Sequence, residues 1–142
     1  MSLKKPLVLA FGTYDLLHRG HEYHLQKASK YGQLYVVVAR DSTVREMKHK
    51  VPVHGERERL ANVKKLKYVY RAFLGSKGDK YEVISRVKPD IICLGYDQVH
   101  FVKGLRKYVK DKGLKTSIIR FRKAHVPQKY KTSLIKREIL NS

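Results

Sequence analysis

Short runs of apolar residues alternate with longer segments of mixed polarity along this chain. The apolar runs are rich in Val, Ile and Leu, and they predict five strands, at residues 7–11, 33–39, 68–74, 90–94 and 116–121. Near-continuous apolar runs are typical of strands covered on both faces, as in a parallel sheet. The pattern therefore predicts a parallel sheet packed between helices.

The segments between the apolar runs carry helical patterns, at residues 20–31, 56–66, 81–87, 99–112 and 132–140. Pro89 ends the third helix, because the residue before a proline is disfavoured in the α conformation. Gly113 closes the fourth in the position that glycine usually takes, and Asp41 with Ser42 is expected to cap a further helix after the second strand. The alternation of strands and helices predicts an α/β fold, a doubly wound parallel sheet with right-handed crossovers.

The length of 142 residues predicts a single domain spanning residues 1–142. No apolar run approaches the roughly 20 residues of a membrane span, so we expect no membrane association. The single cysteine, Cys93, lies inside an apolar run, where a small buried residue is expected. With one cysteine no intrachain disulfide can form, and we expect a cytoplasmic location.

The charge is strongly positive, with 32 Lys and Arg against 12 Asp and Glu and a net charge of +20. Such a charge attracts polyanions, although a solvated basic surface without a dedicated partner is an equal alternative. A nucleic-acid-binding module is the main hypothesis outside enzymes, since tyrosines are interleaved with basic clusters between residues 103 and 131. No recognisable nucleic-acid motif is present, so nucleic acid is not expected as a specific partner.

The first predicted strand leads into the segment Gly-Thr-Tyr-Asp-Leu-Leu-His-Arg-Gly-His at residues 12–21. In open α/β sheets ligands bind beyond the carboxyl ends of the strands, where backbone N–H groups at a helix start favour phosphate. Gly12 permits a tight exit from the strand, and Gly20 permits close approach of a ligand. His18 and His21 fall on one side of the first helical turn, where they are two surface histidines or a pair that binds phosphate.

Residues 12–21 resemble the signature of the cytidylyltransferase-like nucleotidyltransferases, G-T-F-D-x-x-H-x-G-H, with Tyr14 in place of Phe. The resemblance implies that both histidines contact the triphosphate and stabilise the transition state. It also implies a five-stranded sheet of order 3-2-1-4-5 with the nucleotide between the first and fourth strands. The nucleotide-binding residues expected from this segment are Thr13, Tyr14, His18, Arg19, Gly20 and His21.

The resemblance continues along the chain. Lys48 occupies the place of a family lysine that reaches substrate phosphates, and Arg57 and Arg59 resemble an arginine-containing helix start. Residues 88–98 are similar to the archaeal-type FAD synthases, which implies that Asp97 contacts the adenosine of ATP. Thr132 and Ser133 open the last predicted helix, where the family places hydroxyl residues against the β- and γ-phosphates.

This resemblance implies transfer of AMP from ATP to FMN, with His18, His21 and Lys48 as the catalytic residues and pyrophosphate as the leaving group. It implies Mg²⁺ held mainly by substrate phosphates, no protein metal site, and a homodimer. The alternative is a cytidylyltransferase using CTP and glycerol 3-phosphate or another alcohol phosphate. Residues 120–127 lack the R-T-x-G-I-S-T pattern of that branch, and they also lack the cysteine common in FAD synthases.

Two further residues near the signature have competing interpretations. Asp15 is expected to stabilise the turn that it occupies, with metal binding as the alternative. His24, on the first predicted helix, is expected to pack against its neighbours rather than bind a ligand.

Overall fold

The computed structural model describes residues 5–15, 19–48, 51–95 and 99–121, with the backbone alone for residues 19–21, 47, 48, 99 and 100. The described strands are β1 (Leu7–Gly12), β2 (Gln33–Val38), β3 (Arg71–Leu74), β4 (Ile91–Leu94) and β5 (Ser117–Arg120). The described helices are α1 (Arg19–Ser29), α2 (Asp41–Lys48), α3 (Glu56–Lys64), α4 (Glu82–Val87) and α5 (Val99–Asp111).

The strands form one parallel sheet in the order β3-β2-β1-β4-β5. This confirms the predicted fold class and strand order. Gly12 pairs with Val38, and Val38 pairs with Leu74, so the carboxyl ends of β1, β2 and β3 lie side by side. The order reverses at β1, because the chain leaves it for β2 on one side and later returns to pair β4 on the other. This is the switch point at which doubly wound sheets bind ligands.

Both faces of the central strands are buried. In β1, Val8 and Ala10 belong to one apolar cluster, while Leu9 and Phe11 belong to a second cluster on the opposite face. Alternate residues of a strand point to opposite faces, so a strand covered on both sides must be apolar throughout. That requirement explains the continuous apolar runs of the sequence.

The boundaries differ from the predicted ones mainly at β3, which begins at Arg71 instead of residue 68. Tyr68 and Val69 precede the strand but pack against the core, so their apolar character reflects packing and not strand pairing. A helix follows β2 as expected, but α2 begins at Asp41, so Asp41 and Ser42 are its first residues and not the caps before it; the Asp41 carboxylate instead accepts the backbone N–H of Glu56. The predicted last helix, 132–140, lies outside the described residues. No helix in the described ranges combines the length and apolar character needed to cross a membrane.

Candidate active site

The exit from β1 is a tight turn built on Gly12 and Tyr14. Tyr14 has a φ of 54°, and its side chain is buried. The ring folds back over Gly12, so a Cβ added there would lie 2.5 Å from Tyr14 Cζ. Real Cβ atoms do not approach a ring this closely, and glycine is therefore required. The exit from β1 is thus tight, as predicted, with the left-handed backbone at Tyr14 and the close ring contact at Gly12.

A fully buried arginine, Arg59, joins three segments at the carboxyl edge of the sheet. Its guanidinium donates to the carbonyl oxygens of Thr13 (2.8 Å) and His54 (3.0 Å), and to Asp41 Oδ1 (2.7 Å). Arginine suits this place because its planar fork offers several donors in fixed directions. The backbone that follows β1 is thus held by a side chain from the first turns of α3.

Two carboxylates complete the network around Arg59. Asp41 Oδ2 accepts the backbone N–H of Glu56 (3.3 Å), and Glu56 Oε1 accepts the backbone N–H of Asp41 (2.9 Å). Arg40 donates to Glu56 Oε2 (3.1 Å) and to the carbonyl of Gly75, beyond β3 (2.7 Å). The Arg59 guanidinium lowers the pKa of Asp41, and the backbone N–H of Asp41 lowers the pKa of Glu56.

Asp15, within the signature, binds a distant loop. Its carboxylate accepts the backbone N–H groups of Val53 and His54, each at 2.8 Å. Burial acts to raise the pKa of Asp15, but the two backbone N–H groups outweigh it and the pKa is lowered. The expectation that Asp15 stabilises its own turn stays a prediction, since residues 16–18 of that turn lie outside the described residues. The loop before α3 supplies two backbone donors within its reach.

The sheet brings part of the predicted site together. Thr13 and Tyr14 follow β1, the backbone of Arg19, Gly20 and His21 forms the first turn of α1, and Lys48 ends α2. The first N–H groups of a helix have no partners within it and favour an anion. The side chains of Arg19, His21 and Lys48 are outside the description, as are all atoms of His18, Asp97, Thr132 and Ser133. Their roles stay predictions.

Sequence reasoning missed the network of Arg40, Asp41, Glu56 and Arg59. The available signal was their position, since Arg40 and Asp41 follow β2 while Glu56 and Arg59 lie in the first turns of α3. The family resemblance had marked Arg59 without giving it a role. Its complete burial could not be deduced from charge, because charged side chains are rarely fully buried.

Two other expectations are confirmed. His24 packs between aromatic rings, with centroid distances of 5.8 Å to both Tyr23 and Phe121. Cys93 is buried in β4, and burial raises the pKa of its thiol to about 12. A thiol in this state is not a nucleophile at neutral pH.

Comparison with known proteins assigns the chain. A model of the family described as cytidylyltransferase-like matches residues 9–138. The chain belongs to this family. The match runs from β1 through the segment beyond β5, so the family resemblance found in residues 12–21 extends over nearly the whole chain.

Curated relatives of the chain carry the name FAD synthase. The chain is 48% identical over 119 residues to the FAD synthase of Methanohalophilus mahii, covering 83% of this chain and 82% of that protein. It is 40% identical over 139 residues to the FAD synthase of Methanobrevibacter ruminantium, covering 95% and 92%.

Solved structures agree on the fold. A protein of Thermoplasma volcanium described as a lipopolysaccharide core biosynthesis protein superposes with a TM-score of 0.79 and 43% identity, covering 84% of this chain and 98% of that one. Pantoate-β-alanine ligase of Francisella tularensis superposes with a TM-score of 0.59 and 16% identity, covering 87% and 61%. The second likeness is one of fold alone.

Proposed function

We propose that this protein is an FAD synthase, which transfers AMP from ATP to FMN and releases pyrophosphate. The observation that carries the proposal is the set of curated FAD synthases, 40–48% identical over 80–95% of the chain. The signature at residues 12–21, placed at the switch point of the sheet, supports the nucleotidyl-transfer step.

The reaction forms a bond between an FMN phosphate oxygen and the α-phosphorus of ATP, and it breaks the bond from that phosphorus to pyrophosphate. No nucleophilic side chain is required, because such transfers depend mainly on positioning and on neutralising charge. The backbone at Thr13 and Tyr14 and the start of α1 supply N–H donors at the carboxyl edge. Donors fixed before the reaction stabilise developing charge most effectively.

The individual roles follow from the family resemblance. His18 and His21 hold the triphosphate and the charge developing at the α-phosphorus, and Lys48 holds the attacking phosphate. Asp97 contacts the adenosine, while Thr132 and Ser133 receive the leaving pyrophosphate. Arg19 and Gly20 complete the nucleotide-binding turn. In this scheme Arg59 is a positioning residue, since it binds the carbonyl oxygen of Thr13 and not the substrate.

Mg²⁺ is the cofactor that we propose, held mainly by substrate phosphates. Among the described residues no three Asp, Glu, His or Cys side chains converge on a metal site. The carboxylates within and beside the signature already accept N–H donors; they are Asp15, Asp41 and Glu56. They do not offer a protein cage for the ion. When bound, Mg²⁺ neutralises phosphate charge.

We also propose a homodimer and a cytoplasmic location. The dimer rests on the family resemblance. The location rests on the substrates, ATP and FMN, and on a single cysteine that the fold keeps as a buried free thiol.

A substrate matrix tests the function. ATP and CTP are each combined with FMN, glycerol 3-phosphate or phosphopantetheine in the presence of Mg²⁺, and pyrophosphate release is measured. We expect turnover with ATP plus FMN, with FAD identified by chromatography. Pyrophosphate from CTP, with no FAD from ATP plus FMN, would replace the proposal by a cytidylyltransferase.

The names given to relatives from one organism differ, so the matrix keeps a second acceptor class. The Thermoplasma volcanium structure that shares 43% identity is named for lipopolysaccharide core biosynthesis, whereas a curated relative from the same organism, 44% identical, is named FAD synthase. The signature binds the nucleotide in either case, so it cannot choose the acceptor. Glycerol 3-phosphate in the matrix, paired with CTP, tests this alternative directly.

A further inference from the structure

Helix α2 and the loop after it form an excursion from the sheet that begins at Asp41 and returns at Glu56, called here the 41–56 excursion. Its two ends meet, because Asp41 and Glu56 bind each other's backbone N–H groups. Arg40, just before it, binds the carbonyl oxygen of Gly75 beyond β3. The excursion is therefore anchored at the carboxyl edge of the sheet, where the nucleotide signature begins.

The excursion presents two aliphatic side chains to solvent. Val51 is 77% exposed and Val53 is 72% exposed, the highest values among the large apolar side chains described. The other exposed members of that group are tyrosines, whose hydroxyl groups can face water. Exposed valines without a polar atom lose the stabilisation that burial would provide. A ligand that covered both would recover it.

The loop that carries these valines is tied to the signature. Asp15 accepts the backbone N–H groups of Val53 and His54. Arg59 binds the carbonyl oxygens of His54 and Thr13 with one guanidinium. Residues 53 and 54 are therefore held beside the backbone that follows β1. Val53 is therefore fixed next to the proposed polyphosphate site, and Val51 lies two residues before it in the sequence.

Their side of the site is the one left for the acceptor. The excursion follows β2, whereas Asp97, assigned to adenosine, follows β4, and these strands flank β1 on opposite sides. The excursion also has lysines at positions 48 and 50, directly before the valines in the sequence. A segment with cations and exposed apolar groups matches an acceptor with a phosphate and a flat apolar ring. FMN has both parts.

We propose that Val51 and Val53 pack against the isoalloxazine ring of FMN and determine the choice of acceptor. This inference rests on the proposed function. It assigns to the valines the ring alone, and neither the FMN phosphate nor ATP.

The test is the double variant Val51→Ser/Val53→Ser. Both side chains are mostly exposed, so the substitutions should leave the fold intact. We expect the KM for FMN and the Kd for FMN, measured by flavin fluorescence, to rise about tenfold, equal to about 1.4 kcal/mol. The KM for ATP should stay within about twofold, because the proposed valine contacts are made to FMN and not to ATP.

Two controls isolate the ring. Ribitol 5-phosphate retains the phosphate of FMN but lacks the ring, so its inhibition constant against FMN should not change in the double variant. Tyr70→Ser alters another exposed residue. Tyr70 lies at the amino end of β3, whereas the valines lie near the carboxyl ends of the strands. We expect this variant to leave the KM for FMN unchanged.

Several results would overturn the inference. They are an unchanged KM and Kd for FMN, an equal rise in the KM for ATP, or weaker inhibition by ribitol 5-phosphate. If light scattering gives the double variant a lower molar mass than the wild type, the valines instead contribute to a contact between subunits. If the wild type makes FAD and the variant is unaffected, only this inference fails. If the wild type binds FMN in a valine-dependent way but makes no FAD, only the proposed function fails. If the wild type neither makes FAD nor binds FMN in a valine-dependent way, the proposed function and this inference both fail.

Discussion

Asp41 and Glu56 each accept the backbone N–H group of the other, at 3.3 Å and 2.9 Å. Each residue begins a helix, and the first N–H group of a helix has no acceptor within that helix. Each carboxylate supplies the missing acceptor for the other residue's helix. Negative charge at a helix start is also favoured by the helix dipole. Helix α3 needs this arrangement, because Gly55 precedes it and has no side chain to cap it. The two carboxylates thus cap the adjacent amino ends of α2 and α3.

Acid should weaken the fold through these carboxylates. The pKa values of Asp15, Asp41 and Glu56 are all lowered in the folded chain. Unfolded carboxyl groups titrate near about 4, so on acidification the unfolded state takes up protons first. We expect the free energy of unfolding to be level above about pH 5 and to fall below about pH 4, measured by urea unfolding.

The matched variants for this pH series are Asp41→Asn and Asp111→Asn. Asp41→Asn should be less stable at pH 7 and should show a shallower loss in acid. Asp111 makes an exposed ion pair with Lys107, which stabilises by at most about 1 kcal/mol. An acid response of Asp41→Asn as steep as that of the wild type would contradict the role given to this carboxylate.

Arg59→Met should unfold much more easily than the wild type. The substitution removes bonds to Thr13, His54 and Asp41 and leaves their acceptors without a donor. Breaking a charged pair with one fully buried partner in this way costs about 3 kcal/mol, the low end for buried pairs, because the Asp41 side chain is 31% exposed. Arg57→Met alters an exposed residue of the same helix and should change stability by less than about 0.5 kcal/mol. Equal unfolding midpoints for the two variants would refute the structural role of Arg59.

Gly12→Ala should displace the Tyr14 ring. The new Cβ would lie 2.5 Å from Cζ and 2.9 Å from the hydroxyl oxygen of Tyr14, which is buried and cannot swing into solvent. Overpacking of this kind costs about 1–3 kcal/mol. At Gly78 an added Cβ meets nothing within 4 Å, so Gly78→Ala is the control. Thermal unfolding compares the two, and similar melting temperatures would show that the turn adapts freely.

His18→Ala and His21→Ala should each lower kcat sharply. The loss of one well-placed donor to a developing charge costs about 10²–10³ in rate. The KM for ATP should change less than kcat, because the missing bond is strongest in the transition state. His100→Ala is the control, since His100 belongs to no proposed site. Full turnover in both signature variants would exclude the proposed mechanism.

Cys93 should resist thiol reagents while the protein is folded. Burial raises its pKa to about 12, so almost no thiolate forms at pH 8. Reaction with a chromogenic disulfide should be slow in buffer and complete in denaturant. The native rate should rise with urea in parallel with unfolding. Fast labelling at a rate independent of urea would show that the thiol is accessible in the native fold.

The sheet could be predicted because burial on both faces leaves a strong signal. The runs around Val8 and Val36 must be apolar at every position, which no exposed strand requires. Helix α2 gave a weak signal, since Val44 is its one buried residue among the side chains described there. Its helical state depends on Glu56, a partner distant in sequence. Such a contact has no local pattern.

The site divides in the same way. Gly12, Thr13 and the following residues have a contiguous pattern, so the location of the nucleotide-binding turn could be predicted. The burial of Arg59 could not, because it depends on acceptors contributed by Thr13, Asp41 and His54 from three separate segments. The exposure of Val51 and Val53 was equally hidden, since an apolar residue in a sequence is normally expected in the core.

The joined ends of the 41–56 excursion have a consequence for how such enzymes diversify. Because Asp41 and Glu56 meet, and because Asp15 and Arg59 hold residues 53 and 54 through backbone atoms alone, exposed side chains between the two ends can change without displacing the sheet or α3. Selection could then remodel the contacts made to one substrate while the machinery for the other is inherited intact. Grafting the interior of this excursion from a family member of different acceptor preference, with Asp41, Glu56 and Arg59 retained, is a direct route to a new transferase.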